Sequence, residues 1–399
     1  MSDSHQKVTT QGWFSRIGDS IKGIIVGLVL FIVAFPVLWL NEGRAVKRAK
    51  ALNEGEAVTV SVDSQAIDPA NEGKLIHTTG KVVTDEVLQD SQFSVSDNVL
   101  RLRRKVSMYQ WVEETRTEKK KKVGGSEETI TTYTYKQQWC DQLVDSTGFD
   151  KPQGHQNPIS LPFEDAEYQV SSARLGAFQL TPDQISRIST FQPKPLAADT
   201  PIPQDFANRT VIVGNSFYVA ASPLVIKEDK LEDGTVKTTV VPPSAPQIGD
   251  VKITFEFVPN NIDISLMYQQ QGATFVPYQT KHGAIAELRT GLHSQEEMYA
   301  SARNANKMLT WILRILGLVI MYIGISTIFR PLSVLADVVP FIGTIVRTGT
   351  GIISFLIALV LSLLTIAIAW LFYRPVLSII LLVVIVGLVV LIVKKCKKA

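Results

Sequence analysis

The sequence contains very few cysteines. Only Cys140 and Cys396 occur in 399 residues. A small secreted scaffold would need several disulfides, and a thiol redox centre would need two cysteines in C-x-x-C spacing, so both classes are excluded. We interpret Cys140 as a packed residue rather than a reactive thiol.

The sequence also lacks an excess of charge of either sign. Forty Lys and Arg residues against 37 Asp and Glu residues give a formal net charge of +3. No global electrostatic field therefore favours nucleic acid as a partner. Charged residues make up 19% of the chain, below the roughly 25% of soluble domains, and the shortfall is concentrated in a few apolar stretches.

The common signature motifs of enzymes are absent. The sequence has no dinucleotide-binding, P-loop, nucleophile-elbow, zinc-protease or C-x-x-C motif. Its five histidines lack the spacing of metal ligands: His5, His77, His155, His282 and His293. We therefore expect no enzymatic activity, no cofactor and no metal.

Four apolar stretches are present, at residues 24–40, 311–329, 352–373 and 376–393. The first has 17 residues, just enough to cross a bilayer, and we prefer an uncleaved signal anchor to a cleaved signal peptide because no convincing cleavage site is present. Arg374 and Pro375 separate the last two stretches and predict an antiparallel hairpin. The pattern therefore predicts four transmembrane helices.

Lysine and arginine near the spans predict their direction. Four lysines in the tail, residues 394–399, place the C-terminus in the cytoplasm, and four spans then place residues 1–23 there too. Residues 41–310 would form an extracytoplasmic domain. Basic residues at its start count against this direction, but long domains cross membranes with little regard for charge.

The inserted domain is expected to be rich in β-strands and to have helical stalks. Residues 105–113 and 130–139 should form a hairpin with aromatic residues on one face, including Tyr109 and Trp111. We expect this aromatic stripe to pack in a core rather than to stack on nucleic acid bases. A proline-rich segment at 193–205 could divide the domain into two halves. A capping box at Ser294–Glu297 starts a helix that should continue into the second span.

Some residues could contact lipid or a neighbouring helix. Lys47, Arg48 and Lys50 could rest on lipid headgroups, or they could form an ordinary solvated helix face. Small residues recur at four-residue intervals, at Gly23 and Gly27 and at Ser354, Ala358 and Ser362, and this spacing permits close helix packing.

Inside the predicted spans the only ionisable residue is Arg314, which is expected to extend to the interface. A channel or transporter is therefore poorly supported. Residues 330–351 are expected to form an interfacial or re-entrant segment, or a linker covered by neighbouring spans.

Several short motifs occur in an order that resembles the transmembrane protein 43 (LUMA) family. They are Asn41-Glu42-Gly43-Arg44-Ala45, Asn71-Glu72-Gly73 with Leu75 and His77, Leu102-Arg103-Arg104, Met108-Tyr109-Gln110-Trp111-Val112-Glu113, Gly154-His155 with Asn157-Pro158, Val276-Pro277, and Trp370 to Pro375. Each motif alone is weak, but their joint order over most of the chain is specific.

The resemblance implies an α+β membrane protein with four transmembrane helices and a large luminal or periplasmic domain between the first two. Its relatives include proteins of the endoplasmic reticulum and inner nuclear membrane that self-associate and organise other membrane proteins, and bacterial members would face the periplasm. No catalytic residues come with the family. We therefore expect a non-enzymatic, homo-oligomeric membrane organiser in contact with lipids. The alternative is a lipid-handling protein or enzyme in which Tyr109, Trp111 and His155 line a groove between domain and bilayer.

Overall fold

The computed structural model describes residues 3–197, 200–230, 236–241 and 245–375. The predicted fourth span (376–393) and the basic tail (394–399) lie outside the described residues. Three long helices are described: α1 (Trp13–Glu56), α3 (Gln295–Ala336) and α4 (Pro340–Tyr373); a short helix, α2, spans Pro182–Ser186.

Each long helix is long and apolar enough to cross a membrane. Their lengths of 44, 42 and 34 residues exceed the roughly 20 needed for a bilayer core. The predicted spans at 24–40, 311–329 and 352–373 lie within them. Large apolar side chains on all three remain exposed, as expected for surfaces that face lipid.

An eight-stranded sheet forms one layer of the inserted domain. Its strands are β1 (Asp3–Gln11), β6 (Val99–Lys121), β7 (Glu127–Cys140), β8 (Ala166–Gln169), β11 (Gln192–Pro193), β12 (Thr210–Val213), β13 (Ser216–Val219) and β16 (Val251–Pro259). The main order is β1-β7-β6-β16-β13-β12, with β8 paired to β6 and β11 to β16.

A seven-stranded sheet forms the second layer. Its strands are β2 (Val60–Ser61), β3 (Leu75–Val83), β9 (Ala173–Leu175), β10 (Phe178–Leu180), β17 (Ile262–Gln271), β18 (Thr274–Val276) and β21 (Glu287–Thr290). Its main order is β10-β9-β3-β17-β18. Three small hairpins complete the described strands: β4 (Leu88–Asp90) with β5 (Val95–Asp97), β14 (Val225–Lys230) with β15 (Val236–Val241), and β19 (Tyr278–Thr280) with β20 (Gly283–Ile285).

One hydrophobic core joins the two sheets. Ile76 and Leu266 from the second sheet belong to the same buried cluster as Leu102 and Phe255 from the first. Strand β6 pairs with β16 and β3 pairs with β17, so each sheet combines strands from before and after residues 193–205. The suggested division into two halves is therefore not seen.

The long hairpin forms in the predicted place and extends further than predicted. Tyr109 is opposite Trp139 in the register, and their rings lie 5.4 Å apart. Strand β1 adds a third strand along β7, with Asp3 opposite Tyr135 and Gln11 opposite Glu127. We call these three strand segments, residues 3–11, 113–121 and 127–135, the ribbon.

The placement of β1 differs from the predicted topology. Paired strands must lie on the same side of a membrane, whereas residues 1–23 and 41–310 were assigned to opposite sides. The pairing has a local reason, because Val8, Thr9 and Thr10 lie along the β-branched run of β7 at Thr129 and Ile130. The assignment of sides stays a prediction, and the pairing gives a direct way to test it.

Residues 330–351 differ from the expected re-entrant segment or linker. Helix α3 continues through Pro331 to Ala336, a short turn follows, and α4 begins with Pro340 at its first position. Proline at the first helical position leaves no additional amide unpaired, which explains how the second helix starts there.

Candidate functional site: a polar cluster among the membrane helices

Glu42 is the centre of a polar cluster that joins the three long helices. Its side chain is fully buried. Arg314 on α3 donates from Nε to Oε1 over 2.6 Å and from an η-nitrogen to Oε2 over 2.9 Å, and Trp370 on α4 donates from Nε1 to Oε2 over 2.8 Å. Glu42 on α1 is therefore bonded to both other helices.

Arg314 was expected to extend to the membrane interface, and that placement stays a prediction. Its side chain is largely buried and turned toward Glu42, and its guanidinium carbon lies 5.0 Å from the ring centroid of Trp311. A buried carboxylate is costly unless it is paired and hydrogen-bonded. Pairing with Glu42 thus determines where the Arg314 side chain lies.

Asn41 and Arg44, on either side of Glu42 in α1, continue this network. Asn41 donates to the carbonyl of Thr310 over 3.0 Å. Arg44 donates to Oδ1 of Asn306 over 2.9 Å and to the Thr310 hydroxyl over 3.0 Å. Both side chains bind α3, which gives these residues a packing role at the base of the stalks.

Gly43 and the end of α4 meet beside the cluster. A Cβ added at Gly43 would lie 2.7 Å from the ring of Tyr373, so a larger residue here would require that ring to move. Arg374 follows directly, and its amide donates to the carbonyl of Trp370 over 2.7 Å. Pro375 is exposed. The first and last of the recognised motifs, 41–45 and 370–375, are therefore neighbours.

The three proposed membrane-surface residues have different surroundings. Arg48 pairs with Glu287 and donates to the carbonyl of Ala284 over 2.9 Å. Lys47 and Lys50 are exposed. Contact with lipid headgroups stays a prediction for these lysines, whereas Arg48 is occupied within the protein.

Small residues lie where the long helices approach one another. A Cβ added at Gly27 would lie 2.7 Å from the carbonyl oxygen of Gly324, and one at Gly23 would lie 3.4 Å from a methyl of Thr327. On α4, Ser354, Ala358 and Ser362 are buried, and Ser362 donates to the sulfur of Met321 over 3.4 Å. These contacts are made within one chain.

The second group of motif residues lies in the domain and binds a loop to strand β6. Asn157 accepts from the amide of Trp111 over 2.7 Å and donates back to its carbonyl over 2.9 Å. Gln110 donates to the carbonyl of Gln142 over 3.0 Å and accepts from the amide of Val144 over 2.9 Å. Both amide side chains are occupied by backbone groups.

His155 lies in the same region and is only 2% exposed. Its ring stacks on Tyr135 at 3.9 Å and meets the edge of Trp111 at 4.7 Å. Its Nδ1 lies 2.9 Å from the carbonyl oxygen of Lys151, and its Nε2 lies 3.0 Å from a carboxylate oxygen of Asp3. A groove-lining role for His155 with Tyr109 and Trp111 is not favoured by this packing.

The phenol of Tyr135 is held in the same cluster. It donates to Glu113 over 2.7 Å and accepts from the amide of Lys151 over 2.9 Å. Burial, reinforced by the hydrogen bond to Glu113, raises the pKa of Tyr135 to about 12. The phenol therefore stays protonated at physiological pH and serves as a structural donor.

The far ends of the helices carry a second buried ionic cluster, which we call the tip cluster. Asp337, in the turn between α3 and α4, is fully buried and pairs with Arg16 at 2.6 Å, with Arg347 at 3.2 Å and with Lys121. Glu127 is 3.3 Å from Arg16. These contacts attach the tip of the β6–β7 hairpin to the starts of α1 and α4.

Within the described ranges, no group of three or more His, Cys, Asp and Glu side chains could hold a metal ion. The polar clusters therefore consist of ion pairs and hydrogen bonds. Sequence reasoning identified the α1 residues of the first cluster through the resemblance but missed Asn306, Thr310 and their bonds. It also missed Asp337, whose position in an otherwise apolar stretch was the available signal.

Comparisons with known proteins agree with the resemblance that the short motifs indicated. The family description "Transmembrane protein 43" matches residues 108–375. The chain is 32% identical over 385 residues to "Transmembrane protein 43" of Rattus norvegicus, which covers 93% of this chain and 90% of the relative. The corresponding identity is 31% for the Homo sapiens protein. For the "Transmembrane protein 43 homolog" of Drosophila melanogaster it is 26% over 365 residues, covering 89% of each chain.

No solved structure matches the chain. The family match spans most of the domain together with α3 and α4, and the relatives cover most of the sequence. The resemblance inferred from the short motifs is confirmed: the chain is an integral membrane protein that belongs to the transmembrane protein 43 family.

Proposed function

We propose that this protein is a non-enzymatic membrane organiser that assembles into oligomers and holds its β-rich domain at a fixed orientation to the bilayer. The observation that supports this function most directly is the continuity of α3. This helix begins with a capping box at Ser294 and Glu297, packs Met298 and Tyr299 into the domain, and continues into the apolar segment.

The two stalks are the ends of α1 and α3 that lie between the apolar segments and the domain. They are joined at the domain as well as at Glu42. Leu52 on α1 belongs to the same buried cluster as Tyr299 on α3. Arg303 also donates to Glu56 over 3.0 Å. Because both stalks are fixed at two levels, the domain and the helices should move as one body, which suits a scaffold.

Strand β1 offers a surface for self-association. It lies at the edge of the eight-stranded sheet, and most of its described residues are exposed. Val8 is 53% exposed on this edge. An exposed edge strand can pair with a second chain. We infer that a second copy, or another membrane protein, binds along β1.

The compartment depends on the side of the membrane on which the domain lies. If the domain is extracytoplasmic, it faces the periplasm in a bacterial inner membrane. In a eukaryotic cell the protein would lie in the endoplasmic reticulum or the inner nuclear membrane, with its domain on the luminal side. The apolar helices and the family support the membrane location itself.

Crosslinking of the full chain in native membranes tests the organiser function. We expect crosslinked homo-oligomers, which Val8→Lys should reduce because a lysine on an edge strand opposes pairing. Val123→Lys is the matched control, since Val123 is exposed in the hairpin turn outside the paired segments. Recovery of monomers alone, without a crosslinked partner protein, would contradict the proposal.

A further inference from the structure

A cationic chamber lies where the three long helices meet, on the side of Arg314 away from the tip cluster. Its volume is about 370 Å³. Four basic side chains line it, Arg303, Lys307, Arg314 and Arg374, together with Trp311 and Trp370, and none of its lining residues is acidic.

Two of these four cations are free to bind an anion. Arg314 is neutralised by Glu42, and Arg303 by Glu56. In the part of the chain that the structure describes, no carboxylate lies within ion-pair distance of Lys307 or Arg374. The sequence itself contains no acidic residue after Asp337. The chamber therefore has two unneutralised positive charges.

The chamber continues into an apolar groove between α3 and α4. The groove has a volume of about 310 Å³ and is lined by Ile315, Leu318 and Leu363, among others. Trp311, Arg314 and Trp370 line both spaces. Tryptophan is enriched at the level of lipid headgroups, and an arginine there can contact a phosphate while its stem packs on apolar surface.

We propose that a glycerophospholipid with a net negative headgroup binds here, with its phosphate between Lys307 and Arg374 and one acyl chain in the groove. The positive charge selects the headgroup, and the adjoining groove selects a lipid over a free phosphate. This inference does not depend on the proposed organiser function.

A second apolar groove provides an internal control. It lies between α1 and α4, has a volume of about 440 Å³, and is lined by Phe35, Trp39 and Leu364 among others. No charged residue lines it. An acyl chain bound there would have no cationic chamber above it, so this groove should not select among headgroups.

Native mass spectrometry of the full-length protein tests the headgroup contact. Phosphatidylglycerol and phosphatidylcholine in equal amounts serve as the probes. The wild-type protein should retain phosphatidylglycerol preferentially. Lys307→Gln with Arg374→Gln should reduce this preference by about fivefold for each cation removed, which corresponds to about 1 kcal/mol per basic residue near a lipid surface.

The control is Lys47→Gln with Lys50→Gln, which removes two exposed lysines of α1 that do not line the chamber. This variant should keep the preference. Equal preferences in the two double variants would overturn the proposal, because the selectivity would then come from general surface charge.

A pair of neighbouring leucines tests the acyl-chain contact. Leu363 lines the groove below the chamber, and Leu364 lines the second groove; they are 58% and 52% exposed. Leu363→Trp should reduce retention of phosphatidylglycerol, whereas Leu364→Trp should not. The proposal fails if both variants retain it equally, or if excess inorganic phosphate displaces the lipid, since the site would then bind a simple anion.

Discussion

Glu42 and Arg314 form a two-point ion pair between α1 and α3, with donor–acceptor distances of 2.6 and 2.9 Å. Glu42 lies two residues after the apolar run 24–40 of α1, and Arg314 lies near the start of the apolar run of α3. Trp370 adds a bond from α4. The pair therefore fixes the mutual height of the three helices at the level where the domain begins.

Removing one partner of this pair should strongly destabilise the protein. Glu42→Ala leaves Arg314 buried without its counter-ion, and the expected loss is about 3–5 kcal/mol. The loss should be seen as a lower thermal unfolding midpoint in detergent. The double variant Glu42→Gln with Arg314→Gln should lower the unfolding midpoint by less than the sum of the effects of Glu42→Gln and Arg314→Gln made singly.

The matched control is Glu114→Gln, which breaks an ion pair with Lys136 whose side chains are both about half exposed. Such a surface pair contributes at most about 1 kcal/mol. If Glu42→Ala costs no more than Glu114→Gln, the Glu42 cluster does not hold the helices together.

A methyl group at Gly27 should separate α1 from α3. Its Cβ would lie 2.7 Å from a backbone oxygen of Gly324, which cannot move without shifting the helix. Overpacking of this kind costs about 1–3 kcal/mol. Gly27→Ala should therefore lower the unfolding midpoint.

Gly18→Ala is the corresponding control on the same helix. A Cβ there meets nothing within 4 Å, and alanine favours helix over glycine by about 1 kcal/mol. We expect an unchanged or slightly raised midpoint. Equal effects of the two alanines would show that the closeness at Gly27 has no energetic consequence.

An engineered disulfide tests the pairing of β1 with β7. Gln6 is directly opposite Thr132, so Gln6→Cys with Thr132→Cys should crosslink under mild oxidation in native membranes. Cys140→Ser and Cys396→Ser remove the natural thiols. The readout is the shift in electrophoretic mobility without reductant.

The control pairs Gln6→Cys with Lys136→Cys, four residues further along β7, where the distance is too long for a disulfide. Failure of the first pair to crosslink, with both cysteines accessible from opposite sides of sealed vesicles, would favour the predicted topology over the ribbon. Crosslinking would place residues 3–11 beside the domain.

Acidification should destabilise the domain through His77. This ring is mostly buried, with Nε2 3.0 Å from the carbonyl oxygen of His293. Burial lowers the pKa of His77 below its usual value near 6.5, against the opposing effect of that carbonyl. Below pH 6.5 the unfolded chain gains a proton that the folded chain resists, so stability falls as the pH falls.

Thermal unfolding of wild type and His77→Gln between pH 7.5 and 5.5 measures this effect. The variant should be less stable at pH 7.5 but should lose less stability on acidification. His282→Gln is the control, because His282 is exposed, and its pH dependence should match that of wild type. If the unfolding midpoint of His77→Gln falls with pH as steeply as that of wild type, His77 is not the source of the pH dependence.

The parts of the fold that the sequence predicts are those with local signals. The predicted capping box forms at Ser294 with Glu297, and a second one starts α2 at Thr181 with Gln184. The aromatic alternation correctly predicted the hairpin, in which Tyr109 lies opposite Trp139. These features depend on residues close in sequence, whose spacing directly reflects the period of a helix or strand.

The contacts that build the candidate site have no such signal. Glu42 and Arg314 are 272 residues apart, and Arg16 and Asp337 are 321 apart. The sequence shows that each of these residues is charged, but it does not show which residue of opposite charge the fold places beside it. The strand at 3–11 was missed for the same reason, since its partner lies more than a hundred residues away in β7.

The unbroken course of α3 has a mechanical consequence. Because one continuous helix lies in lipid at one end and packs against the domain at the other, a change in its tilt moves the whole domain. Helices tilt when the surrounding bilayer becomes thinner than their apolar length. The domain would then report local membrane thickness, and neighbours bound to it would be displaced according to the composition of the lipid around them.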